Sequence, residues 1–322
     1  MVPSLKIVAG IDIGTLTCRL LIAKLSPVGN LIELKSDRRI LRLGQGVDQD
    51  RMLRTDAMER VIMTLKEWRQ MIEECHAAAI TAVATSAVRD AGNREEFLDR
   101  IKREVGFEVE VITGEEEARR TILGIRSGLP PGVTDILALD IGGGSTEFIM
   151  DRRGKPPMVR SIDIGVVRLS ERILRHDPPT LDEIGQARDW VRKETARGAG
   201  EMLSHAEITL VGTAGTITSL AAMAQRLSTY ESARIHNYTL TLETVRNLEH
   251  QLLSRRKDQR RGMPGLEPGR EEVIAAGTLI LTTIVELFGR HKLLVSDLGL
   301  REGMLIDLAR KLQKTQSDPD RQ

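Results

Sequence analysis

Apolar positions along this chain alternate between short β-branched runs and longer stretches of helical period, the pattern of an α/β protein. Ile7–Ile11, Arg19–Leu25 and Leu31–Ser36 read as three strands joined by tight turns, the second turn being Ser26-Pro27-Val28-Gly29-Asn30. Thr55–Ala78 keeps a helical period throughout. A strand at Ala79–Ala84, a helix near Arg94–Val105 and a strand at Phe107–Ile112 follow, and the next helix starts near Glu115. The opening then recurs. Ile136-Leu137-Ala138-Leu139-Asp140-Ile141-Gly142 repeats the type of Ile7 to Gly14, and each copy runs on into a second strand, a turn and a third strand. In the second copy these are Thr146–Met150, the turn from Asp151 to Pro156, and Val159–Ile164.

A repeated strand–turn–strand start predicts a duplicated protein: two similar α/β domains, 1–124 and 125–322, flanking a central cleft. The boundary falls in the Gly- and Pro-bearing loop around Gly124–Gly132, and the last helix is free to pack back toward the first domain. A length of 322 residues with 41% apolar content accommodates two such cores, and 47 basic against 46 acidic residues leave no global attraction for nucleic acid or membrane. Cys18 and Cys75 have no partner at disulfide or zinc spacing and read as buried thiols. The N-terminus lacks a signal-peptide pattern. The longest apolar stretch, Val273–Phe288, carries Thr282, Thr283 and Glu286 and is shorter than a membrane span, so a cytoplasmic protein is expected.

The chemistry concentrates at the two recurring turns. Closing Asp140–Glu147 over Gly143-Gly144 puts Gly142 opposite Ser145, Ile141 opposite Thr146 and Asp140 opposite Glu147. Two facing carboxylates repel one another unless a cation lies between them, and Mg²⁺ suits such oxygen donors. Gly142, Gly143 and Gly144, with Ser145 and Thr146 behind them, leave backbone N–H groups open to cradle an anion. Closing the first turn over Gly14-Thr15 instead sets Asp12 opposite Thr17, giving one carboxylate, hydroxyls and free amides. Metal is therefore expected mainly on the second hairpin, with phosphate contact from both: Gly14, Thr15 and Thr17 in the first, and Gly142 to Thr146 in the second. Gly212-Thr213-Ala214-Gly215-Thr216 opens a helix after a strand, where Gly212, Gly215 and Thr216 bind a further phosphate or simply allow close packing.

Taken together, Gly10–Thr17, Arg42–Gly46, Ala84–Arg89, Gly114–Arg119, Leu139–Phe148, Val211–Thr216, Ile274–Gly277 and Ser296–Gly303 resemble the exopolyphosphatase and guanosine pentaphosphate phosphohydrolase family, in its short two-domain form. That family belongs to the actin-like, sugar-kinase and Hsp70-type ATPase-fold superfamily. The resemblance implies two actin-like (ribonuclease H-like) domains and Mg²⁺-dependent hydrolysis of a terminal phosphoryl group from polyphosphate or guanosine pentaphosphate. No nucleic-acid or membrane partner is implied, and a homodimer is allowed. By motif position Glu117 matches the family's catalytic carboxylate and Arg89 its phosphate-contacting arginine, while Asp140, Gly142, Gly143, Gly144, Ser145 and Glu147 match its phosphate-and-metal hairpin.

The residues are consistent with those roles. Successive helical positions point about 100° apart, so Glu115, Glu116 and Glu117 cannot share one task. Thr113 with Glu116 forms a capping box, which frees Glu117 to orient a water. Leu16 stands where the family commonly has Asn, removing one side-chain amide from the first turn. The basic run Arg255 to Arg261, with Arg152, Arg153 and Lys155, guides a polyanion or is a solvated helix end. His176-Asp177 runs straight into two prolines without a supporting His cluster and is no metal signature. Two other readings stay open: a binding switch or scaffold without turnover, and a kinase of the same fold.

Overall fold

A computed structural model describes residues 6–26, 31–203 and 208–317, so most of the turn expected at Ser26–Asn30 lies outside the described residues. The chain divides into two compact units, Met1–Ser127 with Leu298–Gln322, and Gly128–Asp297.

In the first unit the strands are β1 (Lys6–Ile13), β2 (Thr17–Leu25), β3 (Leu31–Ile40), β4 (Ala79–Ala84) and β5 (Glu110–Val111), in the sheet order β3-β2-β1-β4-β5. β1 pairs antiparallel with β2 and parallel with β4. Of the strand expected at Phe107–Ile112, only β5 joins the sheet. The near-continuous apolar run of β1 follows from burial on both faces, as a central strand flanked by helices requires. Ala9, Ile11 and Ile13 point into one core with Trp68 and Phe97. Val8 points into another, against Leu305 and Ala309.

Helix Thr55–Glu74 fits the first of these cores because Ala57, Met58, Val61, Ile62, Leu65, Trp68 and Ile72 recur at helical spacing on one buried stripe. Helix Leu300–Ser317 covers the opposite face. Its Leu300 and Met304 meet Val83 and Ile112, and its Leu305 and Ala309 meet Val8 and Leu21. Residues from Leu298 onward group with the first unit, Leu305 and Ala309 of the last helix packing on Val8 and Leu21.

In the second unit the strands are β6 (Ile136–Ile141), β7 (Thr146–Asp151), β8 (Met158–Ile162), β9 (Thr209–Thr213), β10 (Thr239–Thr241) and β11 (Lys292–Val295), in the order β10-β11-β9-β6-β7-β8. β8-β7-β6-β9-β11 thus repeats β3-β2-β1-β4-β5, with β10 added antiparallel at one edge. The apolar stretch near Val273–Phe288 is helix Ile274–Leu287, buried from Ile274 to Val285. Among the described residues no helix is long and apolar enough to cross a membrane. Helix Leu181–Ala199 starts on a full capping box between Thr180 and Glu183. Cys18 is a buried thiol in β2, whose burial, with the nearby Asp12 carboxylate, pushes its pKa well up; Cys75 is only partly buried.

Candidate active site

The second recurring turn has the register its sequence predicts. Asp140 pairs with Glu147 and Ile141 with Thr146, and the Gly142 N–H donates to the Ser145 carbonyl at 3.0 Å. Cross-strand partners share a face, so the two carboxylates stand side by side while Ile141 and Thr146 point the other way. Glu147 is 1% exposed, and its Oε1 accepts from the Ser161 hydroxyl at 2.8 Å, Ser161 being its register partner on β8. The Thr146 hydroxyl donates to the Ile164 carbonyl at 2.6 Å, which commits its hydrogen to the turn's scaffold.

The three glycines expose their amides in a specific way. Val166 N–H donates to the Gly142 carbonyl at 3.0 Å, Val167 N–H to Gly143 at 2.9 Å and Arg168 Nε to Gly144 at 2.9 Å. Among the described residues nothing accepts from the N–H groups of Gly143, Gly144 or Ser145. Three neighbouring donors lack acceptors, two of them on buried residues, which is the arrangement an anion nest requires.

The first turn differs from its predicted register. Asp12 pairs with Arg19 and Ile13 with Cys18, and Gly14 N–H donates to the Thr17 carbonyl at 3.1 Å. The two-residue turn is therefore Thr15-Leu16, and Asp12 does not face Thr17. The reason is tertiary: Gly44 N–H takes the Thr15 carbonyl at 2.8 Å, and Leu41 and Arg42 N–H take that of Leu16 at 3.0 and 2.9 Å. This turn superposes in register on the second, with Leu16 in the place of Gly144 and Arg19 in the place of Glu147. Leu16, 6% exposed, contributes its backbone, and the N–H groups of Thr15, Leu16 and Thr17 likewise find no acceptor among the described residues. The Thr15 hydroxyl bonds to that of Ser86 at 2.8 Å, both buried, so the turn is tied to the segment after β4. A cationic Arg19 opposite Asp12 makes this hairpin a poorer metal site than the second. The register of β2, not visible from composition, hid this pairing.

Glu117 and Arg89 come together within the first unit. Arg89 lies on the short helix Ser86–Asp90 after β4, where its Nη1 donates to the Ile112 carbonyl at 2.9 Å and sits 3.5 Å from Glu117 Oε2. The two side chains are 23% and 12% exposed, so the pair is shielded without being sealed. In helix Gly114–Gly128 the three acidic positions divide their tasks. Glu115 is exposed. The Glu116 N–H donates to Thr113 Oγ1 at 3.2 Å, while its carboxylate accepts from Arg119 and Arg120 rather than returning to the cap, so only half of the expected capping box forms.

Arg119 also reaches Asp307 on helix Leu300–Ser317 at 3.0 Å. The Arg119 hydrogen bond, helped by Arg120, holds the Glu116 carboxyl below its ordinary 4.5. Burial opposes ionisation of Asp307, but Lys311 and Arg119 outweigh it and hold Asp307 low as well. A carboxylate with a depressed folded-state pKa contributes stability above its unfolded value and loses it as pH falls through the folded one. The melting temperature is therefore expected to fall between about pH 5 and pH 3 more steeply in the wild type than in Glu116→Gln, as thermal denaturation across that range would record.

Comparison with known proteins bears on this geometry. Residues 21–312 match the model of the Ppx/GppA phosphatase family. The chain belongs to that family. It is 34% identical over 316 residues to exopolyphosphatase 2 of Mycobacterium tuberculosis, covering 94% of this chain and 98% of that one. The solved Ppx/GppA family member of Aquifex aeolicus is 36% identical with a TM-score of 0.81, covering 96% of this chain and 99% of that one. An exopolyphosphatase from Cytophaga hutchinsonii superposes with a TM-score of 0.88 at 28% identity, covering 95% and 98%.

The remaining positions of this Ppx/GppA protein are of two kinds. Thr213, at the end of β9, pairs with Asp140 in the parallel ladder, which brings the Gly212–Thr216 segment beside the second hairpin. Gly212 has a packing reason, since a Cβ there would run into Ile217 and Leu293. Thr216 lies against Gly277 for the same kind of reason. Gly215 has a different neighbour: a Cβ there would fall on the guanidinium of Arg270, which is 4% exposed and bonds Glu267 through Nε at 2.6 Å. A buried cation at the start of helix Ala214–Ala224 carries no local sequence signal, because Arg270 comes from a distant loop.

The basic run is largely committed to internal partners. Arg260 is 3% exposed and pairs with Asp177, Lys257 pairs with Glu272, and Arg256 with Asp258 at 3.2 Å. His176 Nδ1 bonds Glu183 Oε1 at 2.8 Å, so His176-Asp177 is a structural corner.

Proposed function

We propose that this protein is an exopolyphosphatase-type hydrolase that releases terminal phosphate from a phosphoanhydride chain, polyphosphate or guanosine pentaphosphate, with Mg²⁺. The observation that carries the reading is the second hairpin, where two facing carboxylates adjoin three backbone N–H groups without acceptors. Family membership and the relatives named exopolyphosphatase support the same reaction class.

The donor set suits the cation. Mg²⁺ is commonly held by one or two carboxylates together with substrate phosphates and water. Asp140 and Glu147 offer such a pair, and among the described residues no cluster of three His, Cys, Asp or Glu builds an all-protein cage. When bound, the ion would neutralise charge on the phosphoryl oxygens. Glu147→Ala should shift the Mg²⁺ dependence of phosphate release to at least about tenfold higher concentration, a loss typical of a removed metal ligand or its support. An unchanged Mg²⁺ titration would remove Glu147 from the site.

In the reaction, water attacks the terminal phosphorus as the bond to the bridging oxygen breaks. Glu117 holds that water and accepts its proton, and the shortened chain leaves on the bridging oxygen. Arg89 contacts a phosphoryl oxygen pair while steadying Glu117. On the first hairpin the open amides are those of Thr15, Leu16 and Thr17, the Gly14 N–H being committed to the Thr17 carbonyl and the Thr15 hydroxyl to Ser86. On the second hairpin Gly143, Gly144 and Ser145 form the cradle, the Gly142 N–H and the Thr146 hydroxyl being committed to the turn itself, and Gly215, with the Arg270 guanidinium against it, takes a further phosphate while Gly212 and Thr216 serve packing. Preorganised donors of this kind carry most of the stabilisation in phosphoryl transfer.

The test is phosphate release from long polyphosphate, guanosine pentaphosphate and ATP, with and without Mg²⁺. Release from either of the first two that requires Mg²⁺ supports the proposal. Binding without release from any of them favours a non-hydrolytic switch, and phosphorylation of an acceptor by ATP favours a kinase.

A further inference from the structure

The sequence holds a third Asp-hydrophobic-Gly element, Asp163-Ile164-Gly165, that none of the roles above uses. In the structure it leads into the segment that grips the triple-glycine turn from behind. The Val166 and Val167 N–H groups and the Arg168 side chain each take one carbonyl, those of Gly142, Gly143 and Gly144 in order. Arg168 is 4% exposed, its guanidinium also lies 3.7 Å from Asp163, and it stands among backbone rather than at the protein surface.

A trans peptide is planar, so its C=O and N–H point in opposite directions, and the one cis peptide among the described residues lies elsewhere, at Asp177–Pro178. Holding the Gly142, Gly143 and Gly144 carbonyls to the rear therefore aims the N–H groups of Gly143, Gly144 and Ser145 to the front. Glycine peptides resist rotation least of all, and a run of three would otherwise sample many orientations. Gly165 serves the same contact. A Cβ there would lie well under 3.0 Å from the Gly143 carbonyl oxygen, although its φ of −145° suits any residue.

We propose that Arg168 is a positioning residue for phosphate binding: by fixing the Gly144–Ser145 peptide and placing a buried positive charge behind the nest, it aligns the Ser145 N–H with the phosphoryl oxygens beside the Gly143 and Gly144 donors, whose peptides Val166 and Val167 hold. The inference rests on the phosphohydrolase reading of this turn. Arg168 itself touches no substrate; it acts through the backbone. In the first hairpin the Thr15 and Leu16 carbonyls are held by backbone donors alone, from Gly44 and from Leu41 and Arg42.

The experiment compares wild type, Arg168→Met, Arg168→Lys and Gly165→Ala, each assayed at a temperature well below its own melting transition. Two quantities are read: Mg²⁺-dependent phosphate release from long polyphosphate, and equilibrium binding of polyphosphate. Arg168→Met is expected to lower kcat/KM about 10- to 100-fold, a loss somewhat smaller than removing a direct oxyanion donor. It should weaken polyphosphate binding in the folded protein. Arg168→Lys should recover most of that loss, since an ammonium can still reach the Gly144 carbonyl. Gly165→Ala should reproduce the defect with every charge intact. A folded Arg168→Met with wild-type kcat/KM and binding would overturn the inference, as would a Lys variant no better than Met. A wild-type protein that binds polyphosphate without hydrolysing it would instead remove the phosphohydrolase reading, while the binding comparison would still decide the role of Arg168.

Discussion

Glu117→Gln should leave a folded protein that binds polyphosphate within a few-fold of wild type and hydrolyses it about 10²–10⁴ times more slowly, the contribution of a positioned general base. Glutamine keeps the shape and one acceptor oxygen beside Arg89, 3.5 Å away in the native pair, so the arginine keeps a polar neighbour. What it loses is the ability to accept a proton. Because glutamine is isosteric and the position lies in the first turn of its helix, the substitution should move the melting temperature by only a degree or two. Single-turnover phosphate release and a binding isotherm on the same preparation separate the two effects. Wild-type turnover in this variant would exclude Glu117 as the base and direct attention to the carboxylates of the hairpins.

Gly303→Ala is expected to be the most destabilising of the substitutions considered, by about 2–3 kcal/mol, despite alanine's better helix propensity of about 1 kcal/mol. Helices Gly114–Gly128 and Leu300–Ser317 cross with almost no space between their backbones. A Cβ on Gly303 would fall well under 3.0 Å from the Arg120 carbonyl oxygen, and one on Gly124 would meet the Gly299 carbonyl just as closely. Neither obstacle is a flexible side chain, so a whole helix must shift. At that cost the melting temperature of the first unit should drop by roughly 5–10 °C. The displaced helix carries Glu117 one turn before Arg120, so turnover should fall along with stability. If Gly303→Ala melted at or above the wild-type temperature, the two helices would not be held by backbone approach at this point.

These two effects differ in how readily sequence discloses them. Glu117 belongs to a local pattern: an acidic first turn after a strand, with Thr113 placed to cap it. The 140–147 register is equally local, because a two-residue Gly-Gly turn fixes which residues of the flanking strands face one another. The duplication, the fold class and the family were legible for the same reason, since each rests on short segments whose residues are neighbours in sequence.

The first hairpin shows where that reasoning stops. Gly14-Thr15 has better turn chemistry than Thr15-Leu16, yet the chain turns at the latter because Leu41, Arg42 and Gly44, arriving from the far end of β3, hold the carbonyls of Thr15 and Leu16. Arg168 behind Gly144, Arg270 against Gly215 and Gly303 against Arg120 are likewise pairings of distant segments. Sequence by itself determined that the chain would build two like α/β units around carboxylate- and glycine-bearing turns, because hydrophobic period and turn chemistry act over a few residues. Tertiary structure alone decided which peptide groups face outward at those turns and which helix closes the first unit, because carbonyl partners and close backbone contacts are selected by packing between segments that no local pattern connects.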